Sequence, residues 1–311
     1  MITPISPMLA SAKPLNDDEG FVHEIKWDGY RAVAYVEEDR IELLSRRSRG
    51  LNPYFPELLP FFESFSHKPL VLDGEIVALG DRGLPVFSEL RRTAEREGAV
   101  VYIVFDLLIC DGQNICARPW QERRTRLEKL IPQTGPIWLS PIFETSRDQL
   151  LAAAEELGLE GIVSKKVDAP YLPGVRSDAW RKQRIFRRID CVVGGLFKRE
   201  GRVRALLVGQ YTKNLKELIS LGRAASGLSA ADGEFLLNAY EKLAAAASPF
   251  CNFEDDVEVL WMTPHIVVEI QFAELTPAGR LRHPVFIRFR WDKHPSECVY
   301  EGGGEGADAG N

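Results

Sequence analysis

Short apolar runs separated by polar turns fill the first half of the chain, and their period marks most of them as strands. Residues 21–26 and 31–36 read as strands, and the Asp28-Gly29 pair between them predicts a hairpin turn. "PLVLDGEIVALG" (69–80) alternates so that Asp73 and Glu75 share one face while Leu72, Ile76 and Ala78 line the other. "VVYIVFDLLI" (100–109) is apolar almost throughout, as expected of a strand buried on both faces. Helices are predicted over 121–131 and 147–157. The second has Ser146 and Gln149 in capping-box positions and Gly158 as a stop.

From about residue 189 the pattern changes. Strands are predicted at 191–197, 204–211 and 216–222, a helix over 229–247, and strands at 265–274 and 285–290. Three strands, a helix and two more strands fit an OB-fold β-barrel, with a small mixed sandwich as the competing arrangement. "EGGGEGADAGN" (301–311) is glycine-rich and acidic and predicts a disordered tail. The expected fold class is therefore α+β. Antiparallel sheets flanked by helices span 1–188, an OB-fold domain spans 189–300, and the tail follows.

Composition changes this picture little. The 311 residues suffice for two domains, 45% are hydrophobic, and no apolar run approaches the roughly 18 residues of a membrane span. The start, MITPISPMLASAKPL, lacks the regions of a signal peptide, so a cytoplasmic protein is expected. Cys110, Cys116, Cys191, Cys251 and Cys298 are odd in number and scattered without a C-x-x-C pair, so they are read as reduced and structural, with neither disulfide framework nor zinc site. The net charge of −6 argues against a wholly basic nucleic-acid-binding domain. Positive charge is nevertheless concentrated locally, in Arg46-Arg47-Ser48-Arg49 and along 181–188, and phosphate contacts depend on the local patch. The bland reading of either run is a solvated face.

The candidate chemistry is in "EIKWDGYRA" (24–32). A lysine attacks only as the free amine, so Lys26 needs burial or neighbouring charge, which Ile25, Trp27 and Arg31 could supply. Asp28 could hold a metal ion, and Gly29 allows a close backbone approach. The competing reading is a polar turn. Other short stretches follow in order: Ser45-Arg46, Asp73-Gly74-Glu75, Phe105-Asp106, 160–165 (EGIVSK), Trp180-Arg181-Lys182 and 290–293 (RWDK). Together they resemble the covalent nucleotidyltransferase superfamily of ATP-dependent DNA ligases, RNA ligases and mRNA capping enzymes. "EIKWDGYRA", "GIVSKK…PYLPGVRSDAWRK" and "ELTPAGRLRHPVF" are similar to the ligase domain of bacterial end-joining DNA ligases. The likeness covers all but the tail.

The resemblance implies an adenylation (nucleotidyltransferase) domain followed by an OB domain. It implies ATP as cofactor, with AMP carried on Lys26, and Mg²⁺ or Mn²⁺. Glu24 and Phe105 would recognise adenine; Arg31 and Arg46 would contact sugar and phosphates, and later the 5′-phosphate of a nick. Glu75 and Glu160 would bind ribose or metal beside Asp28, and Lys165 and Lys182 would neutralise the α-phosphate. Arg290, Asp292 and Lys293 would orient pyrophosphate. Arg46, Arg181, Arg184, Arg187 and Arg188 would grip DNA. The structural alternatives are turn caps for Asp73 and Asp106, plain core for Phe105, and a surface ion-pair cluster for Arg290, Asp292 and Lys293. Arg184 departs from the lysine usual at its position, and "SRRSRG" lacks the asparagine-glycine that often follows the family's arginine. In a regular strand Glu160 and Lys165 would face apart. The expected partner is nicked duplex DNA, bound by a monomer, with a Ku-like end-binding protein left open. The rival functions are RNA joining, GTP-dependent capping, and a non-catalytic nucleic-acid-binding module.

Overall fold

The computed structural model describes residues 2–80, 83–90, 99–132, 134–253, 259–276 and 278–300. The expected tail at 301–311 lies outside the described residues. The chain divides into two units, Met1–Ile185 and Phe186–Asn311. Arg187 and Arg188 thus fall in the second unit, although the sequence reading assigns them to the first domain.

In the first unit the elements run β1 (Leu9–Ser11), β2 (Phe21–Ile25), β3 (Tyr30–Val36), β4 (Ile41–Ser45), α1 (Leu59–Glu63), β5 (Leu70–Leu79) and α2 (Phe87–Leu90). β6 (Ala99–Cys110), β7 (Gln113–Asn114), α3 (Trp120–Leu130), β8 (Ile137–Leu139), α4 (Arg147–Glu156), β9 (Gly161–Lys166) and β10 (Arg176–Arg184) complete it. One sheet has the order β1-β10-β9-β2, and the other β4-β3-β5-β6-β7 with β8 beside β6. Pairing is antiparallel except for β1 on β10 and β8 on β6.

The alternation along β5 holds: Leu72, Ile76 and Ala78 enter one core with Phe62 of α1 and Leu127 of α3, while Val71 faces the other sheet. That inter-sheet core also contains Val33, Leu108, Tyr171 and Trp180. α4 covers the outer face of the first sheet through Leu150 and Ala154 against Ile25 and Ile162. Two sheets therefore pack face to face, each covered by helix outside. The Ser146–Gln149 capping box starts α4, and Gly158 at φ +70° follows its end. β6 is held to α3 by a pair without exposed surface: Asp106 accepts from Arg123 Nε at 2.7 Å and Nη2 at 2.8 Å. Neither Asp106 nor Asp73 caps a turn; both are buried carboxylates paired with arginine.

The hairpin expected at Asp28-Gly29 does not form. β2 pairs with β9 and β3 with β4 and β5, so the segment 26–29 carries the chain from one sheet to the other. Gly29 serves a close approach: a Cβ there would lie 2.1 Å from the Ile76 carbonyl oxygen. A two-residue hairpin turn does form at Asp111-Gly112, at φ +51° and +73°, between β6 and β7.

The second unit comprises β11 (Arg187–Arg199), β12 (Arg202–Tyr211), β13 (Leu218–Ala224), α5 (Ala230–Leu243), β14 (Val259–Trp261), β15 (Val267–Phe272) and β16 (Val285–Phe289). Its sheet order is β13-β12-β11-β15-β16, with β14 also on β11. A bridge from Ser226 to Val285 joins the two ends, with Phe286 N–H donating to Ser226 O at 2.9 Å. The sheet thus closes on itself as a barrel, matching the OB-fold expectation rather than the sandwich. β14, three residues long, is the strand the sequence pattern missed.

Gly29→Ala is expected to destabilise the fold by about 1–3 kcal/mol, because the new methyl must displace strand backbone. Gly50→Ala, where nothing lies within 4 Å, should change stability by less than about 0.5 kcal/mol. Thermal unfolding of the two variants beside the parent tests the contrast; equal midpoints would remove the packing argument.

Candidate active site

The crossing segment opens onto a cavity of about 220 Å³ between the two sheets of the first unit. An adjoining cleft of about 730 Å³ shares with it Lys26, Trp27, Arg31, Arg46, Glu75 and Arg184. Strand alternation explains which side chains enter the smaller cavity. On β9, Val163 and Lys165 face inward while Ile162 packs under α4 and Ser164 meets His23. On β10 the inward residues are Trp180, Lys182 and Arg184, and β2 contributes Glu24. From the opposite sheet come Arg31, Glu75 and Phe105, the last beside a β5–β6 register shift at Asp73/Gly74.

Nine predicted residues, Glu24, Lys26, Arg31, Arg46, Glu75, Phe105, Lys165, Lys182 and Arg184, line this one cavity. Asp28 and Glu160 line the adjoining cleft. The parity conflict between Glu160 and Lys165 is resolved because Glu160 precedes β9. Gly161 at φ +142° makes the bend, and a Cβ there would meet the Gln183 carbonyl oxygen at 2.1 Å. Lys26 is tied by its own N–H to Gly161 O at 2.8 Å.

The charges are arranged in pairs. Lys26 Nζ donates to Glu160 Oε2, and Arg184 Nε lies 3.0 Å from Glu160 Oε1. The cation expected beside Lys26, Arg31, is committed elsewhere: its Nε and Nη2 reach Asp73 at 2.6 and 2.5 Å. Tyr171 donates to the same carboxylate at 2.6 Å and accepts from Met8 N–H at 2.9 Å. Burial holds the Tyr171 phenol well above its ordinary range, so it stays a donor. Lys165 Nζ sits 2.7 Å from Glu24 Oε1 with both groups 2% exposed, and 4.6 Å from the ring centroids of Phe105 and Trp180. Burial lowers the Lys165 ammonium from its ordinary value, against the pull of Glu24.

Burial also pushes the Glu75 carboxyl up to about 8, against the charges of Arg31 and Lys26. Lys182 is lowered by burial first, and then by Arg184, Arg176 and Lys26. Seven lysine and arginine residues face two glutamates in the smaller cavity, so a chain of net charge −6 concentrates positive potential there. Such a site suits a polyphosphate. An adenine-type base also fits, since its amine can donate to Glu24 Oε1, an acceptor buried without a hydrogen bond among the described residues despite its contact with Lys165. Arg31 already stands 4.5 Å from the Phe105 centroid, so a base on that ring shares it with a guanidinium.

Other predicted residues lie outside this cavity. Arg181, of opposite parity on β10, turns to the carbonyls of Pro14 and Asp178. Arg187 and Arg188 pair with Phe272 and Gln271 on β15 of the second unit, and Arg188 approaches Glu269 at 3.8 Å. Arg290 and Lys293, also of the second unit, are held by Asp190 at 2.9 and 2.5 Å, and Arg290 by Asp292 at 2.8 Å. Sequence reasoning missed Pro7, Leu9, Ala10 and Arg176 as lining residues, and Tyr171 behind Arg31.

The description "ATP dependent DNA ligase domain" matches residues 7–184, and "ATP dependent DNA ligase C terminal region" matches 199–293. The chain is 31% identical, over 96% of its length, to the multifunctional non-homologous end joining DNA repair protein LigD of Mycobacterium tuberculosis, of which it spans 40%. It is also 31% identical to DNA ligase C1 of Mycolicibacterium smegmatis, covering 96% of this chain and 93% of that protein. Among solved structures, the ligase domain of M. tuberculosis LigD superimposes with a TM-score of 0.56 at 30% identity, covering 96% of this chain and 98% of that one. A mycobacterial DNA ligase D complexed with ATP gives the same values. With 178 consecutive residues matched by one ligase model and the barrel unit by a second, this chain belongs to the ATP-dependent DNA ligases.

Proposed function

We propose that the chain adenylylates itself on Lys26 with ATP and uses the bound AMP to seal nicks or breaks in duplex DNA. The observation that carries this is the position of Lys26, on the crossing segment where the cationic cavity meets the wider cleft. In the first step Lys26 Nζ forms a bond to the α-phosphorus while the bond from that phosphorus to the pyrophosphate oxygen breaks. Pyrophosphate leaves with the electron pair. Attack requires the free amine, and Glu160, to which Lys26 already donates, stands ready to take the proton. Lys165 and Lys182 balance charge at the α-phosphate, and Arg31, held by Asp73 and Tyr171, meets sugar or phosphate with its geometry fixed. Glu24 and Phe105 contact the base.

Glu75, Glu160 and Asp28 would hold Mg²⁺ or Mn²⁺ through their hard oxygens, and the ion would offset triphosphate charge. The 5′-phosphate of a nick, oriented by Arg31 and Arg46, then attacks the AMP phosphorus and Lys26 recovers its amine. Attack by the 3′-hydroxyl on the activated 5′-phosphate joins the strands and releases AMP. Arg184, Arg187 and Arg188 support the DNA backbone without reading bases. Arg290 and Lys293 exchange Asp190 for pyrophosphate during the first step. Among the described residues no helix is long and apolar enough to cross a membrane. We place the enzyme in the cytoplasm as a monomer acting in DNA repair by end joining, with a Ku-like end-binding protein as partner.

Incubation of pyrophosphate-treated protein with ATP and Mg²⁺ or Mn²⁺, followed by intact-mass measurement, should show a gain of one AMP. Lys26→Ala should show none, and GTP should not replace ATP. Absence of any adduct from the parent protein would overturn the ligase reading in favour of a non-catalytic nucleic-acid-binding module. Tyr171→Phe should lower stability by about 1.5–3 kcal/mol, the range for a hydrogen bond to a charged group, while still forming the adduct. A complete loss of adduct in well-folded Tyr171→Phe would mean that the phenol itself takes part.

A further inference from the structure

A second cluster of ligating groups lies at the β6–β7 hairpin, and none of its members lines either cavity. β6 ends at Cys110, the Asp111-Gly112 turn follows, and Cys110 pairs across it with Gln113. His67 comes from the segment leading into β5, 43 residues earlier in sequence and beside the turn in space, since Gly112 N–H donates to Pro69 O at 3.0 Å. His67 Nδ1 lies 3.0 and 3.1 Å from the two carboxylate oxygens of Asp111, and Cys110 Sγ lies 3.7 Å from Asp111 Oδ2. One ligand atom from each of the three residues falls within 4.8 Å of the others.

We propose that His67, Cys110 and Asp111 bind a thiophilic divalent cation of the Zn²⁺ type, with water in the fourth position. Bonds of roughly 2.0–2.3 Å in a tetrahedral site put neighbouring ligand atoms roughly 3–4 Å apart, so these three atoms need little movement to close around an ion. The donors also select the metal: sulfur and imidazole with a single carboxylate suit Zn²⁺ or Co²⁺, whereas Mg²⁺ prefers oxygen. Access is open, since the His67 and Asp111 side chains are 50% and 58% exposed, while the thiol beneath them is nearly buried. Lys68, next to His67, turns its ammonium to the Glu63 carbonyl at 3.1 Å. The turn that presents Asp111 is fixed by its left-handed backbone at φ +51° and by the hydrogen bond from Gly112. The ion clamps the hairpin to the start of β5 and so steadies the two strands that carry Asp73, Glu75 and Phe105. Among the described residues no other cysteine joins two further His, Cys, Asp or Glu side chains in such a group.

The test uses the full chain, stripped with a chelator and titrated with Zn²⁺ and with Co²⁺ as a spectroscopic probe. The expected result is one ion per chain, a sulfur-to-cobalt charge-transfer band, and a higher unfolding midpoint with Zn²⁺. His67→Ala, at a half-exposed position outside the core, should weaken binding by at least about tenfold. Cys110→Ser should abolish the band, and Cys251→Ser, at an exposed thiol, should leave it intact. Absence of stoichiometric binding, a band that disappears with Cys251 instead, or binding indifferent to His67→Ala would each overturn the proposal.

Discussion

Asp73 has no exposed surface, and a carboxylate withdrawn from water must recover its lost hydration from neighbouring donors. It does so with Nε and Nη2 of Arg31 and with the Tyr171 hydroxyl, which in turn accepts from the backbone of Met8. One buried oxygen pair thereby fixes β5 to β3, to the chain segment before β10, and to the N-terminal segment that becomes β1. Removing such a carboxylate would leave Arg31 without its counter-charge, a loss of about 3–5 kcal/mol, so the site's rigidity and the fold's stability come from the same contact.

Much of this architecture was legible because it is written in local periodicity. The parity of β5, the two-sided burial of β6, the capping box of α4 and the order of elements in the barrel unit are all properties of windows of ten or so residues. The failures have a common origin in tertiary context. Asp28-Gly29 and Asp111-Gly112 carry the same dipeptide, yet only the second is a hairpin, with both residues at positive φ. Gly29 is glycine because strand backbone comes within a methyl radius of it, and no local pattern distinguishes that demand from a turn.

The candidate site divides along the same line. Residues within short ordered motifs and the basic run were identifiable, and nine of the predicted site residues meet in one cavity. Leu9 and Ala10 were not, because β1 is three residues long and joins β10 in parallel across more than 160 positions. Tyr171 was hidden for a different reason: a lone tyrosine in a loop gives no sign that its hydroxyl will meet a buried carboxylate. Nor did the sequence show that Arg31, expected beside Lys26, pairs with Asp73, or that Glu160, outside its strand, is the group that meets the lysine.

A site for a polyphosphate must concentrate cations that repel one another until the phosphates arrive. In the first unit they are stored in ion pairs: Lys26 and Arg184 on Glu160, and Lys165 on Glu24. Where pairing is incomplete the repulsion becomes visible, as at Lys182, lowered by burial and then by Arg184, Arg176 and Lys26. Arg184 has a place in this economy that its departure from lysine obscures. A forked guanidinium can hold one carboxylate oxygen of Glu160 while leaving the other to Lys26, whereas a single ammonium offers a point charge without that directional constraint. The arginine thus keeps Glu160 oriented toward Lys26.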